Sequence, residues 1–374
     1  VSAKDFLQKL SEAHGVSGYE HAIREMVIAE FKPYADEITV TPMGSVIALK
    51  RGAGKGKVLI EGHMDEIGLM VTDIEKGFIR FTQVGGFDVR VLLSQEVIVH
   101  GKPEGPGGKE LRGIIGARPP HVLTAEEREK VIPMSDLWID VGLPEARVRE
   151  LVQVGDLITY ARQMVELKNN LVAGKAFDDR AAVVCVAEAL KGLATMKHAW
   201  DVYAVANVQE EVGLKGALTS TFQINPDVAI AIDVSHADQP NTSEINTVPL
   251  GGGMGIAMGP NIHPMVHDKL VQVAKDNEIS YKIIAESGAT GTDAWAMQVV
   301  REGIPTGLIE IPLRYMHTSV ETLSVTDLER IGRLLALFCA SLDDKFLKQW
   351  RGEAVAEETT RKARKGTRKV AKRK

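Results

Sequence analysis

Lys57-Val58-Leu59-Ile60-Glu61-Gly62-His63-Met64-Asp65 is the stretch on which the fold turns. Three consecutive large apolar residues leave no polar face, which is the pattern of a strand covered on both sides. The run passes at once into Glu61, His63 and Asp65. In open α/β sheets ligands gather beyond the carboxyl ends of the strands, so titratable residues there point to a site. The same form recurs along the chain. Asp201–Val208 is apolar and leads to Glu210-Glu211, Asp227–Asp233 ends in an acid, and Thr306–Ile311 reads as another buried strand.

Helical periodicity lies between these strands. Ala3–Ala13 and Glu20–Phe31 are amphipathic and are separated by the turn-like Gly15-Val16-Ser17-Gly18. Arg180–Leu190 is apolar almost all round and predicts a buried helix. Ser324-Val325-Thr326-Asp327 reads as a capping box opening a last helix to about Leu342. Strands alternating with helices predict an α/β fold with a mixed, largely parallel sheet flanked by helices.

Between Gly68 and Arg162 the texture changes. Short β-rich pieces at Gly77–Gln83, Gln95–His100, Leu111–Ile115 and Asp156–Tyr160 alternate with Gly and Pro clusters, and Pro103–Lys109 reads as a loop. A length of 374 residues also suits two domains. The expected organisation is a catalytic domain from 1–67 and 164–350, a β-rich domain inserted at 68–163, and a basic, unstructured tail at 351–374. Residues 361–374 hold nine Lys or Arg and no acid, so a net charge of −5 leaves about −14 for the rest. The tail lacks aromatics and apolar periodicity, which fits a solvated extension better than a nucleic-acid surface. No apolar run reaches membrane-spanning length and no secretory signal is visible. Cys185 and Cys339 both lie in apolar helical patterns, which suits a reducing compartment, and the cytoplasm is the expected location.

Five segments carry chemistry: His63-Met64-Asp65, Asp178-Asp179-Arg180, Glu210-Glu211, Asp233 and His317. Two histidines with several carboxylates and no cysteine suit a zinc, cobalt or manganese site, not a closed structural one. Two cations held about 3.5–4 Å apart need a carboxylate between them. The Asp178-Asp179 pair, fixed at the head of a buried helix, offers two acidic neighbours for that place. His63 and His317 then cap the two ions, and Glu211 and Asp233 each complete one shell. Asp65 stands two residues from His63 and can accept its second ring N–H, fixing the tautomer. Glu210 remains as general base for a metal-bound water. Each feature alone has an ordinary explanation: an N-cap for Asp-Asp, a solvated face for Glu-Glu, a loop histidine for His317. Their shared place at the ends of buried strands decides otherwise, because burying such charges without a partner is costly.

With these residues in view, the chain resembles the tetrahedral aminopeptidases, the glutamyl, deblocking and lysyl aminopeptidases with co-catalytic metals. Gly62-His63-Met64-Asp65-Glu66-Ile67-Gly68, Ala176-Phe177-Asp178-Asp179-Arg180, Gln209-Glu210-Glu211-Val212-Gly213 and Ala231-Ile232-Asp233-Val234 are similar to the family's metal segments, in order. Val84-Gly85-Gly86-Phe87-Asp88 and Gly116-Ala117-Arg118-Pro119-Pro120-His121 resemble landmarks of its inserted domain. Gly291-Thr292-Asp293-Ala294 and Arg314-Tyr315-Met316-His317-Thr318 complete the series, which spans about residues 3–345. Ala182 departs from the pattern, as does the extension after Trp350.

The resemblance implies a zinc-exopeptidase-like fold with a PDZ-like insert used for dimerisation, and dimers that build a tetrahedral dodecamer. It implies His63, Asp178 as bridge, Glu211, Asp233 and His317 as ligands of two divalent ions, zinc first, with cobalt or manganese as alternatives. It also implies Glu210 as general base, a dimetal-bound hydroxide, and peptide substrates cut at the N-terminus. A deacylase or carboxypeptidase with a similar centre is the competing reading. A glycosidase needs two carboxylates across a sugar and has no use for the histidines. A non-catalytic scaffold would have lost ligands. Gly251-Gly252-Gly253 lacks the Lys-Ser/Thr ending of a phosphate loop and is expected to line a substrate channel.

Overall fold

The computed structural model describes residues 1–101 and 109–350. The expected loop at 103–109, apart from Lys109, and the expected basic tail lie outside them. Among the described residues, no helix is long and apolar enough to cross a membrane.

Lys57–His63 is the centre of an eight-stranded mixed sheet. Asp201–Asn207 lies parallel to it on one side and Val228–His236 on the other, with Thr306–Leu313 parallel beyond. Antiparallel strands flank this parallel core: Val46–Lys50 and Glu37–Val40 at one edge, Met254–Met258 at the other, followed by Tyr281–Ala285 parallel to it. Val58 and Ile60 belong to one core, against the helices Ala3–Glu12, His21–Phe31, Phe177–Leu193 and Val325–Ser341. Leu59 points to the opposite core, with Lys215–Ile224 and Asp293–Met297. All three side chains are fully buried, each contributing about 1.5–3 kcal/mol. Gly62 is required by this packing. A Cβ there would stand 2.3 Å from Ala182 Cβ and 2.9 Å from Asp179 Oδ2, so the helix could not approach the strand.

From Gly68 to Tyr160 the chain forms a closed, six-stranded antiparallel barrel with its own core. Closure removes the exposed strand edges that so small a sheet would otherwise present. A third, three-stranded sheet joins Val165–Glu166, Leu171–Gly174 and Glu321–Ser324. Its register sets Gly174 opposite Glu321, which brings the entry of the buried helix to the loop after the last parallel strand.

The expected capping box is corrected. Ser324 precedes the helix Val325–Ser341 but makes no side-chain cap. Asp327 instead accepts the N–H groups of Gly251 and Gly253 at 2.7 and 3.0 Å, fastening the glycine run to the helix start.

Beneath the sheet's carboxyl end lies a buried ion cluster. Glu66 accepts from Lys175 Nζ at 2.6 Å and stands 3.1 Å from Arg180 Nη2. Arg180 also donates to the carbonyls of Leu10, Ala13, Gly15 and Met64, tying the first helix and the turn after it to the strand end. Burial opposes charge on Glu66, but Arg180 and Lys175 outweigh it and hold the carboxyl at about 2, below its ordinary 4.5. This contribution is complete above pH 4.5 and is lost as pH falls towards 2. Glu66→Gln is expected to lower the unfolding free energy at pH 7 by about 3–5 kcal/mol, because two cations lose their partner. In chemical denaturation of the full chain, the gap between wild type and variant should close as pH drops from 4.5 towards 2; a gap independent of pH would contradict the cluster.

Candidate metal centre

Five segments meet at the carboxyl end of the parallel strands. His63 closes its strand, Asp233 lies within the neighbouring one, and Glu210-Glu211 follow the strand on the other side. Asp178 sits at the head of the helix Phe177–Leu193, and His317 in the loop between Thr306–Leu313 and Glu321–Ser324. Three of these turns contain non-glycine residues in the left-handed region: Ala176, Gln209 and His317. Each costs of order 1–3 kcal/mol and persists only where surrounding structure enforces it.

The two oxygens of Asp178 face different histidines. Oδ1 lies 3.3 Å from His63 Nε2 and Oδ2 lies 3.1 Å from His317 Nε2. Glu211 Oε1 stands 3.5 Å from His317 Nε2, and Glu210 Oε2 stands 3.7 Å from His63 Nε2. Donors bound tetrahedrally at about 2.0–2.2 Å are roughly 3.3–3.6 Å apart, so these spacings match ligands of common cations. Two groups of donors close enough to hold an ion emerge: His63, Asp178 and Glu211; and His63, Asp179 and Asp233. The neighbouring acids differ in their commitments. Asp179 is fully buried, and its Oδ2 accepts the His63 N–H at 3.3 Å, whereas both Asp178 oxygens point into the cluster.

The electrostatics match this geometry. Burial lifts the Glu210 carboxyl to about 8; His63 opposes the lift, while Asp293, Asp178 and Asp65 add to it. Burial and neighbouring carboxylates, Asp178 first among them, raise Glu211 and Asp233 well above the ordinary range. Burial works against the charge of His63, yet Asp178 and Asp65 hold it raised. His317 is raised by its hydrogen bond to Asp178. Among the described residues, Glu211 Oε1 is buried without a hydrogen-bond partner. A surplus of buried acceptors, all nitrogen and oxygen donors, is what divalent ions of the zinc, cobalt and manganese type offset.

Further carboxylates hold the cluster in place. Asp65 Oδ1 is 3.3 Å from His63 Nδ1, as expected of an orienting group, but it also accepts the Glu210 N–H at 3.0 Å. Its Oδ2 accepts from Glu211 N and from the Ser17 hydroxyl. Glu321, buried, takes the N–H groups of Phe177 and Asp178 on Oε2 and that of His317 on Oε1. Nothing in Val320-Glu321-Thr322 singles it out as a sequence, since it lies in an ordinary strand. Asp293 belongs to a motif quoted without a role. It is buried 3.5 Å from Asn207, which donates to Glu61 at 2.6 Å.

The model of the M42 glutamyl aminopeptidases matches residues 44–334 of the chain. The chain belongs to this family. It is a peptidase of the aminopeptidase type, a hydrolase. It is 36% identical to the lysyl aminopeptidase of Pyrococcus furiosus over 335 residues, which covers 88% of this chain and 94% of that one. The TET aminopeptidase of a marine sediment thaumarchaeote is 33% identical and superposes with a TM-score of 0.87 over 93% of this chain and 98% of its own. A Pyrococcus horikoshii TET1 peptidase, described as assembling into a tetrahedron or a large octahedral shell, is 35% identical with a TM-score of 0.80, covering 91% and 100%. The M42 fold, an α/β domain with a mixed sheet and flanking helices, is thus shared over nearly the full length.

Glu321→Ala removes the acceptor of three backbone N–H groups and frees both Asp178 and His317 from their present orientation. Zinc affinity, measured by competition with a chromogenic chelator, is expected to fall about 10–100-fold while His63 and Asp233 remain in place. Unchanged affinity would show that Glu321 does not position the ligands.

Proposed function

We propose that the chain is a metal-dependent aminopeptidase with two divalent ions, zinc first and cobalt or manganese as alternatives. Asp178 would be shared between them, with His63 and Asp233 holding one ion and His317 and Glu211 the other. The observation that carries this reading is the division of Asp178, whose two oxygens face histidines from separate segments. When bound, such a pair supplies a water of lowered pKa and fixed positive charge for the carbonyl oxygen.

The chain's own groups do the rest. Glu210 would take the proton of the attacking water and return it to the leaving amine, a role suited to a carboxylate 3.7 Å from His63 Nε2 at the edge of the cluster. Asp65 orients His63 and, through the Glu210 N–H, sets the base relative to the ligand. The ligand carboxylates offer partners to a free α-amine, which favours cleavage of the first residue. A deacylase with the same centre would accept blocked amines instead.

Residues 1–67 and 164–350 act as the catalytic domain in this reading, and 68–163 as a PDZ-like dimerisation domain. The barrel's exposed Ile114, Val122 and Val131 supply apolar surface for such a contact. Dimers would build a tetrahedral dodecamer, as the assembly named for the Pyrococcus horikoshii relative suggests. Cys185 and Cys339 are buried free thiols, in keeping with a cytoplasmic protein.

Metal-loaded protein is expected to hydrolyse aminoacyl-p-nitroanilides with a free amine and to leave N-acetylated ones intact. Chelation should abolish turnover, and Glu210→Gln should lower kcat by about 10²–10⁴-fold with metal content retained. Cleavage of blocked substrates alone would replace this reading with the deacylase. Sedimentation velocity reads the assembly; a monomer would refute the proposed oligomer.

A further inference from the structure

The sheet carries a further carboxylate on the face of the candidate metal ligands. Glu310 lies on Thr306–Leu313 with its Cα in parallel register with that of Asp233. The two side chains therefore leave the same face of the sheet from strands about 4.8 Å apart. Strand order runs from His63 through Asp233 to Glu310, so Glu310 is one strand further from the candidate metals. It belongs to neither group of donors able to hold an ion among the described residues.

Glu310 is only 5% exposed, and its Oε2 has no hydrogen-bond partner among the described residues. On its other side it pairs with Gly255, where a Cβ would stand 2.5 Å from Glu310 Oε2. Glycine keeps open the space that the carboxylate occupies. Burial and the Glu286 carboxylate push the Glu310 carboxyl up to about 7, and a hydrogen bond with Ser235 opposes them. This contrasts with Glu66, which two cations flank. A buried carboxylate facing no cation is unfavourable unless a ligand supplies one.

Resting on the peptidase reading above, we propose that Glu310 determines specificity in the subsite for the substrate's N-terminal side chain, and that this side chain is that of lysine or arginine. The scissile carbonyl lies at the metals, and the first residue's side chain extends past Asp233 towards Glu310. A basic head group brought beside Glu310 supplies the absent cation. An acidic side chain meets Glu310 and Glu286 and is repelled. An uncharged one leaves the carboxylate buried without a counter-ion, which discriminates against it.

The test uses the metal-loaded full chain with lysyl-, arginyl-, norleucyl- and glutamyl-p-nitroanilides, and calorimetric binding of free lysine and norleucine. Norleucine has nearly the shape of lysine without its charge. Lysyl or arginyl kcat/KM is expected to exceed norleucyl by at least about tenfold, and Glu310→Gln should bring that ratio close to one. Lysine should bind wild type more tightly than norleucine does, and lose that advantage in the variant. Wild type cleaving norleucyl or glutamyl substrates as well as basic ones would overturn the assignment, as would a variant that keeps the ratio. Should the variant fail to fold, the wild-type ratio and calorimetry decide alone. A loaded wild type that cleaves no member of the panel overturns the peptidase reading itself, whereas an active enzyme without basic preference overturns only the role of Glu310.

Discussion

Repulsion among buried carboxylates governs the centre of this molecule. Asp178, Asp179, Glu210, Glu211 and Asp233 crowd around His63 at the end of a parallel sheet, where little water can screen them. Their geometry survives because carboxylates also fix the backbone around them. Glu321 gathers three N–H groups from two segments, Asp65 gathers two, and Asp179 takes that of His63. Acids that accept backbone N–H groups hold position, and buried oxygens left without a partner among the described residues, on Asp179 and Glu211, are where a cation would be favourable.

Two buried carboxylates, Glu66 and Glu210, show how surroundings decide behaviour. Glu66 has Lys175 and Arg180 against it and stays ionised down to about 2. Glu210 has histidine and further carboxylates, and is lifted to about 8. Burial acts upward on both. The difference lies in whether the fold supplies compensating positive charge. Where it does, the cluster is structural and joins the N-terminal turn to the strand end. Where it does not, as at the cluster around His63 and at Glu310, burial raises the carboxyls instead.

Much of this was legible before any coordinates. Val58-Leu59-Ile60 could only be a doubly covered strand, and the acids and histidines after such runs had to lie at its carboxyl edge. The beta texture after Gly68 was visible as alternating short segments and turns, although not its closure into a six-stranded barrel, because closure depends on which strands pair at the ends of the series. The capping box at Ser324 failed for a similar reason: Asp327 is drawn to the Gly251 and Gly253 N–H groups, which lie far away in sequence.

The sequence by itself determined the order of buried strands, the donor chemistry of the cluster and the family to which the chain belongs. These are local properties, written in side-chain type and spacing. Only the tertiary structure decided which neighbour of the Asp178-Asp179 pair turns both oxygens to the histidines, that Glu321 anchors the segments of Asp178 and His317, and that Glu310, beside Asp233, keeps Oε2 without a partner among the described residues. Each of those depends on strand register and on partners more than a hundred residues away or across a strand, and local sequence holds no record of which remote atom will lie within hydrogen-bond distance.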